Sequence, residues 1–244
     1  MIRWMWAFVD RPIERFDESA AFWTAVTDTR LSPRRGDLGE FATLLPAEGD
    51  ACLKLQGVHG GGGAHLDLEF EDYRAAVRTA QDLGAAVVSA EEDEDLTVLR
   101  SPSGQAFCVT GWHGATRRPP AASSRLDQVC VDLAPAAFDA EIAFWSALAG
   151  WEVRQGRFEE FSYLVSPPEL PIRILFQRLD DDRPTSCHLD FACSDVAATR
   201  ARHELHGAHF VADGKSWTVM ADPTGALYCL TQRSPVTGTL PPAD

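Results

Sequence analysis

His188-Leu189-Asp190-Phe191 repeats His65-Leu66-Asp67-Leu68, and this echo decides how the chain is read. Two further echoes keep the same step. Ala21-Phe22-Trp23-Thr24-Ala25-Val26 returns as Ala143-Phe144-Trp145-Ser146-Ala147-Leu148, and Ser101-Pro102-Ser103-Gly104 returns as Asp222-Pro223-Thr224-Gly225. The separations are about 123, 122 and 121 residues, and self-similarity at a fixed spacing marks a duplicated structural unit. Two similar domains in tandem are expected. Each is a control for the other: a residue kept in both serves the shared fold, and one that differs is free for a separate task.

Size and composition agree. The chain has 244 residues, and half of it suffices to bury a core of its own. Apolar residues make up 45% and charged residues 24%, the balance of a globular protein. No apolar run approaches the roughly 18 residues of a membrane span, and Met1-Ile2-Arg3-Trp4 lacks the features of a signal peptide, so a cytoplasmic location is expected. The six cysteines stand singly on apolar, strand-like segments and read as reduced core thiols. A net charge of −14 repels polyanions, which argues against nucleic acid as a partner.

The segment 114–124, with Pro119 and Pro120, reads as a linker between domains at 1–113 and 125–233. The tail 234–244 reads as extended or frayed. In the second domain a strand over 126–133 precedes a helix opened by Pro135 and stopped by Gly150, then strands over 151–154, 161–166 and 172–177. The order then recurs: a strand over 186–192, a helix capped by Asp195 and ended by Gly207, and strands over 209–212, 217–221 and 227–231. The first domain follows with helices near 15–26 and 72–83.

This order resembles the vicinal oxygen chelate superfamily, in its glyoxalase-like and bleomycin-resistance-like branch. The residues that carry the resemblance are Phe144-Trp145 and Gly150-Trp151 around the first helix, His188-Leu189-Asp190 on the fifth strand and Asp222-Pro223-Thr224-Gly225 before the eighth. It implies an α+β fold of paired βαβββ modules, whose strands form a curled, half-open mixed sheet with helices outside and a ligand pocket on the concave side. It also implies that the tandem domains pair within the chain; whether the chain forms a homodimer as well stays open.

The resemblance places metal ligands on the first, fourth, fifth and eighth strands of each domain, commonly His or Gln, Glu, His and Glu. Carried over, these positions are Gln128, Gln177, His188 and Cys229 in the second domain and Trp6, Gln56, His65 and Cys108 in the first. Both glutamates are missing. Neutral amides offer only weak dipoles to a divalent ion, so no metal or other cofactor is expected. Cys130 and Asp190 complete the candidate ligand-binding set.

His188 and Asp190 are two apart on a strand and share a face. They read either as an imidazole oriented for proton transfer or as a fold signature, and their recurrence at His65 and Asp67 weighs toward the second. Cys187 and Cys193 fall on the opposite, helix-facing side. His203, His206 and His209 read as a solvated helix face, Gly60–Gly63 as a flexible connection, and 91–95 as a charged hairpin tip. Trp4, Trp6 and Phe8 alternate on the first strand, and Trp217 and Tyr228 lie on late strands; they suit an aromatic-lined cavity and ordinary core packing equally.

The expectation from sequence is thus a metal-free glyoxalase-like protein that binds a small organic molecule in a concave pocket, with the second domain as the better site and His188 as the candidate catalytic group. Whether it is an enzyme stays open; if it is, a lyase or isomerase is implied. The alternatives are a metal-dependent lyase, isomerase or dioxygenase of the same superfamily, and a drug-sequestering protein without chemistry.

Overall fold

Each repeat begins with a long strand whose two faces are both covered, and that burial explains its apolar composition. The computed structural model describes residues 1–60, 62–91 and 95–242. The first repeat runs β1 (Ile2–Pro12), a 3-10 turn (Ile13–Arg15), α1 (Phe16–Thr27), β2 (Arg30–Leu31), β3 (Phe41–Leu45), β4 (Leu53–Val58), β5 (Gly63–Phe70), α2 (Tyr73–Asp82), β6 (Ala86–Glu91), β7 (Leu96–Arg100) and β8 (Ala106–Gly111). The second runs β9 (Ser124–Leu133), α3 (Phe138–Ala149), β10 (Val153–Gln155), β11 (Phe161–Leu164), β12 (Arg173–Arg178), β13 (Ser186–Cys193), α4 (Val196–Leu205), β14 (His209–Asp213), β15 (Trp217–Ala221) and β16 (Leu227–Thr231). The strand-helix-three-strand order expected from sequence recurs four times. Helix α3 starts three residues after Pro135 because a turn closed by Ala137 N–H on the Ala134 carbonyl (3.0 Å) intervenes.

The strands form two eight-stranded sheets of the same topology, β2-β3-β4-β1-β5-β8-β7-β6 and β10-β11-β12-β9-β13-β16-β15-β14. Both are mixed: β5–β8 and β13–β16 pair parallel, with Asp67 opposite Cys108 and Asp190 opposite Cys229. The outer hairpins are antiparallel. The fold is α+β with two tandem repeats, as the sequence predicts. No helix among the described residues is long and apolar enough to cross a membrane.

Local chemistry sets the helix ends. Asp72 and Asp195 accept the N–H of Ala75 and Ala198, each at 2.9 Å, as N-caps of α2 and α4. Gly150 ends α3 in the left-handed region (φ 71°), where its N–H reaches the Ser146 carbonyl. Replacing either Asp72 or Asp195 with Ala should lower stability by about 1 kcal/mol in urea titrations, and a loss below about 0.3 kcal/mol would contradict the capping role.

The chain clusters into two compact units, each drawn from both repeats. The first comprises Met1–Ala7, His65–Arg117 and Val129–Cys187. Its helix-side core sets Phe107 against Phe144 and Trp145, at ring distances of 5.8 and 4.9 Å. The fully buried Glu141 carboxylate accepts the Trp145 indole N–H at 2.8 Å and the Ser103 N–H at 3.0 Å.

The second unit comprises Phe8–Ala64, Arg118–Gln128 and His188–Asp244. Trp23, the counterpart of Trp145, stacks on Phe191 at 5.9 Å and meets Tyr228 edge-on at 5.4 Å. Here the helix carries Ser19 in place of Glu141, and the charge has moved to the turn. Asp222 stands where the first repeat has Ser101, and Arg11 stands where the second has Leu133. Arg11 Nε donates to Asp222 Oδ2 at 2.5 Å with both side chains almost fully buried.

Several expectations need correction in this unit. His203 is buried, not solvated: it shares a 2.9 Å hydrogen bond with the Tyr228 hydroxyl on the helix side of β16, whereas His206 and His209 are exposed. Tyr228 is therefore a core residue. The tail is not frayed between residues 233 and 239, where Ser234 N–H donates to the Thr239 carbonyl (2.8 Å) and Arg233 joins Asp127 (2.9 Å) to the Gly238 carbonyl. Within Gly60–Gly63, Gly62 is required by close approach, since a β-carbon would lie 2.4 Å from the Asp10 carbonyl oxygen at φ 77°. Residue 61 of that run, residues 92–94 of the acidic tip and residues 243–244 of the tail lie outside the described residues.

Candidate functional site

On β5 the alternation His65-Leu66-Asp67-Leu68-Glu69-Phe70 sends the apolar residues to the helix-side core and the three polar ones to the opposite face. All three polar residues are buried, at 9%, 4% and 2% exposure. His65 Nε2 lies 3.6 Å from Asp67 Oδ1. The parallel register sets Cys108 of β8 beside Asp67, and the donor atoms of His65, Asp67 and Cys108 all fall within 4.8 Å of one another.

Glu69 organises the neighbouring part of this face. Its carboxylate accepts the Trp6 indole N–H at 2.8 Å, lies 3.1 Å from His113 Nδ1 and accepts the His113 backbone N–H at 3.2 Å. Trp6 sits at the first-strand ligand position that the resemblance implies, and this hydrogen bond holds it as an aromatic wall. Trp4 and Phe8 are buried, and Lys54 lies over the Phe8 ring at 4.9 Å. Glu69 and His113 are functional-face residues that the sequence expectation lacks, although the alternation that places Asp67 on this face places Glu69 there too.

The second repeat carries the matching pair. His188 Nε2 lies 3.3 Å from Asp190 Oδ1, and Asp190 stands opposite Cys229 in the β13–β16 register. Where the first repeat has Glu69, the second has Ala192. Gln128 is buried on β9 in the same compact unit as His188, Asp190 and Cys229. Cys130 and Gln177 belong to the other compact unit. Cys130 is buried on β9 with its thiol 3.9 Å from Asp132, and Gln177 is half-buried opposite Phe161. Gln56 is half-buried on β4 opposite Phe41, in the second unit.

The remaining cysteines are ill suited to chemistry. Burial pushes the Cys52 thiol up to about 12, against the lowering pull of Arg118 and Arg125, and pushes Cys193 up to about 11. A thiol that stays protonated at neutral pH is a poor nucleophile. Cys187, like Cys193, is buried.

A divalent metal is implied by the resemblance, and the residues present can be tested against it. Counting only the four inherited positions omits a carboxylate in each repeat: Asp67 and Asp190 reach their faces from the residue two beyond the histidine. In the first unit the set is one imidazole, one carboxylate and one thiol, all buried together. That combination fits a zinc-type ion, which takes N, O and S donors and needs three protein ligands at a catalytic site. Asp67 supplies the negative charge that the four inherited positions lack.

The family described as Glyoxalase-like domain matches the chain twice, over residues 6–110 and 128–231. None of the curated proteins matches by sequence. Among solved structures, 2,2',3-trihydroxybiphenyl 1,2-dioxygenase from Sphingomonas wittichii is 11% identical over 95% of this chain and 90% of its own, with a TM-score of 0.67. The Mn(II)-bound glyoxalase from Novosphingobium aromaticivorans is 17% identical over 99% and 87%, with a TM-score of 0.63. A xylose isomerase-like TIM barrel/4-hydroxyphenylpyruvate dioxygenase fusion protein is 13% identical at a TM-score of 0.63, and this chain spans only half its length. At such identities the likeness is one of fold.

Proposed function

This chain belongs to the glyoxalase-like domain family, and we propose that it binds a small organic molecule against the His188–Asp190 face of its second repeat, with His188 as the proton-transfer group. The observation that carries the reading is the 3.3 Å approach of His188 Nε2 to Asp190 Oδ1 on a strand face. A carboxylate so placed orients the imidazole and stabilises the imidazolium formed when His188 takes a proton from an acidic C–H or hydroxyl. Gln128 supplies an amide that can donate to and accept from a ligand. The His188 side chain is 16% exposed against 11% for His65, so a ligand reaches it more readily. Cytoplasmic residence belongs to the same reading, supported by six cysteines that stand as thiols.

Native mass spectrometry of freshly purified protein tests this. Wild type should carry a small organic molecule, His65→Ala should retain it, and His188→Ala should bind it at least about tenfold more weakly in Kd, equivalent to about 1.4 kcal/mol. Wild type without bound organic matter, or an adduct that survives His188→Ala, would overturn the reading.

A further inference from the structure

We propose that the first repeat holds a Zn²⁺ ion on His65, Asp67 and Cys108, an inference that does not rest on the role of His188. Three observations carry it. The ligand-capable atoms of the three side chains all lie within 4.8 Å of one another, and His65 Nε2 approaches Asp67 Oδ1 to 3.6 Å. Tetrahedral zinc with metal–ligand bonds of about 2.0–2.3 Å sets its donors about 3.3–3.7 Å apart, a spacing that the His65–Asp67 pair already has. All three residues are buried, which places the donors away from competing water.

Charge points the same way. An aspartate and a thiolate together balance the ion's two positive charges, and the neutral imidazole adds a third donor. The thiolate makes the set soft, favouring zinc over magnesium, calcium or manganese. Trp6 takes no part, because its only polar atom is a donor spent on Glu69. The site therefore departs from the pattern the resemblance implies. The carboxylate comes from the fifth strand itself, two residues past the histidine, and the sulfur comes from the eighth. Three protein ligands leave a fourth position for water or a ligand oxygen.

The full-length chain, stripped with a chelator and titrated with Co²⁺, tests the proposal. Cobalt should bind at one equivalent with release of the Cys108 thiol proton and a near-ultraviolet thiolate-to-metal charge-transfer band, and Zn²⁺ should displace it. Cys108→Ser should abolish the band, the isosteric Asp67→Asn should weaken Zn²⁺ at least tenfold, and Cys229→Ser and His188→Ala should change neither. In wild type, Zn²⁺ should also slow alkylation of Cys108 specifically, mapped by peptide mass spectrometry, a readout that needs no variant to fold. Absence of the band in folded wild type, its persistence in Cys108→Ser, its loss in Cys229→Ser, or alkylation of Cys108 unaffected by Zn²⁺ would each overturn the assignment. Failure of the organic ligand to bind at His188 would leave these readouts untouched.

Discussion

Replacing Arg11 with Met is expected to destabilise the protein by about 3–5 kcal/mol, because it leaves a buried carboxylate without its cationic partner. Arg11 and Asp222 are 211 residues apart in sequence and meet at 2.5 Å, with side-chain exposures of 2% and 0%. Asp222 also receives the N–H groups of Thr224 and Ala226 and the Thr224 hydroxyl on its other oxygen, at 2.9, 3.1 and 2.6 Å. Arg11 spends a further nitrogen on the carbonyls of Asp10 and Gly63. The pair thus ties β1 to the turn before β16. Urea titration should show the full loss in Arg11→Met and partial recovery in Arg11→Met with Asp222→Asn, since the uncompensated charge is then removed. Equal stability of Arg11→Met and wild type would show that the pair contributes nothing.

Acidification should destabilise the chain through His203 by about 2 kcal/mol between pH 7 and pH 5. Burial, reinforced by the neighbouring positive charges of Arg202 and His206, lowers the imidazole from its ordinary 6.5 to about 3. Between those values the unfolded chain binds a proton that the folded chain refuses, so stability falls as the pH drops through this window and is unaffected above it. The partner does not relieve this: burial raises the Tyr228 phenol, which stays neutral. His203 Nε2 has no hydrogen-bond partner among the described residues. The double variant His203→Phe, Tyr228→Phe removes both polar groups together and should lose this increment of acid sensitivity. Urea midpoints at the two pH values, compared between wild type and the double variant, read it directly; an unchanged difference would contradict the assignment.

Features with local causes were legible in the sequence. The Phe-Trp helices, the Asp195 cap and the Gly150 stop depend on residues within one turn of each other, and the structure places them as expected. What required the fold was pairing across the chain. The Arg11–Asp222 bridge links one repeat to the other, and the burial of His203 depends on aromatic rings from α1, β13 and β16. The same division runs through the candidate site. Period-two alternation puts His65, Asp67 and Glu69 on one face, but only the parallel β5–β8 register brings Cys108 beside Asp67. The recurrence of Asp67 as Asp190 reads as a fold signature, and spacing alone does not carry its reach to a thiol. His113 lies 44 residues from Glu69 and follows β8, so its contact has no local signature.

Under the two proposals, the His65–Asp67 face holds metal and the His188–Asp190 face an organic molecule. Diffraction from crystals of the zinc-loaded protein, recorded above and below the zinc absorption edge, distinguishes the two faces. An anomalous peak among His65 Nε2, Asp67 and Cys108 Sγ, none beside His188 and Asp190, and non-protein density against His188 is the predicted result. A peak beside Asp190, or none in either repeat, would contradict it.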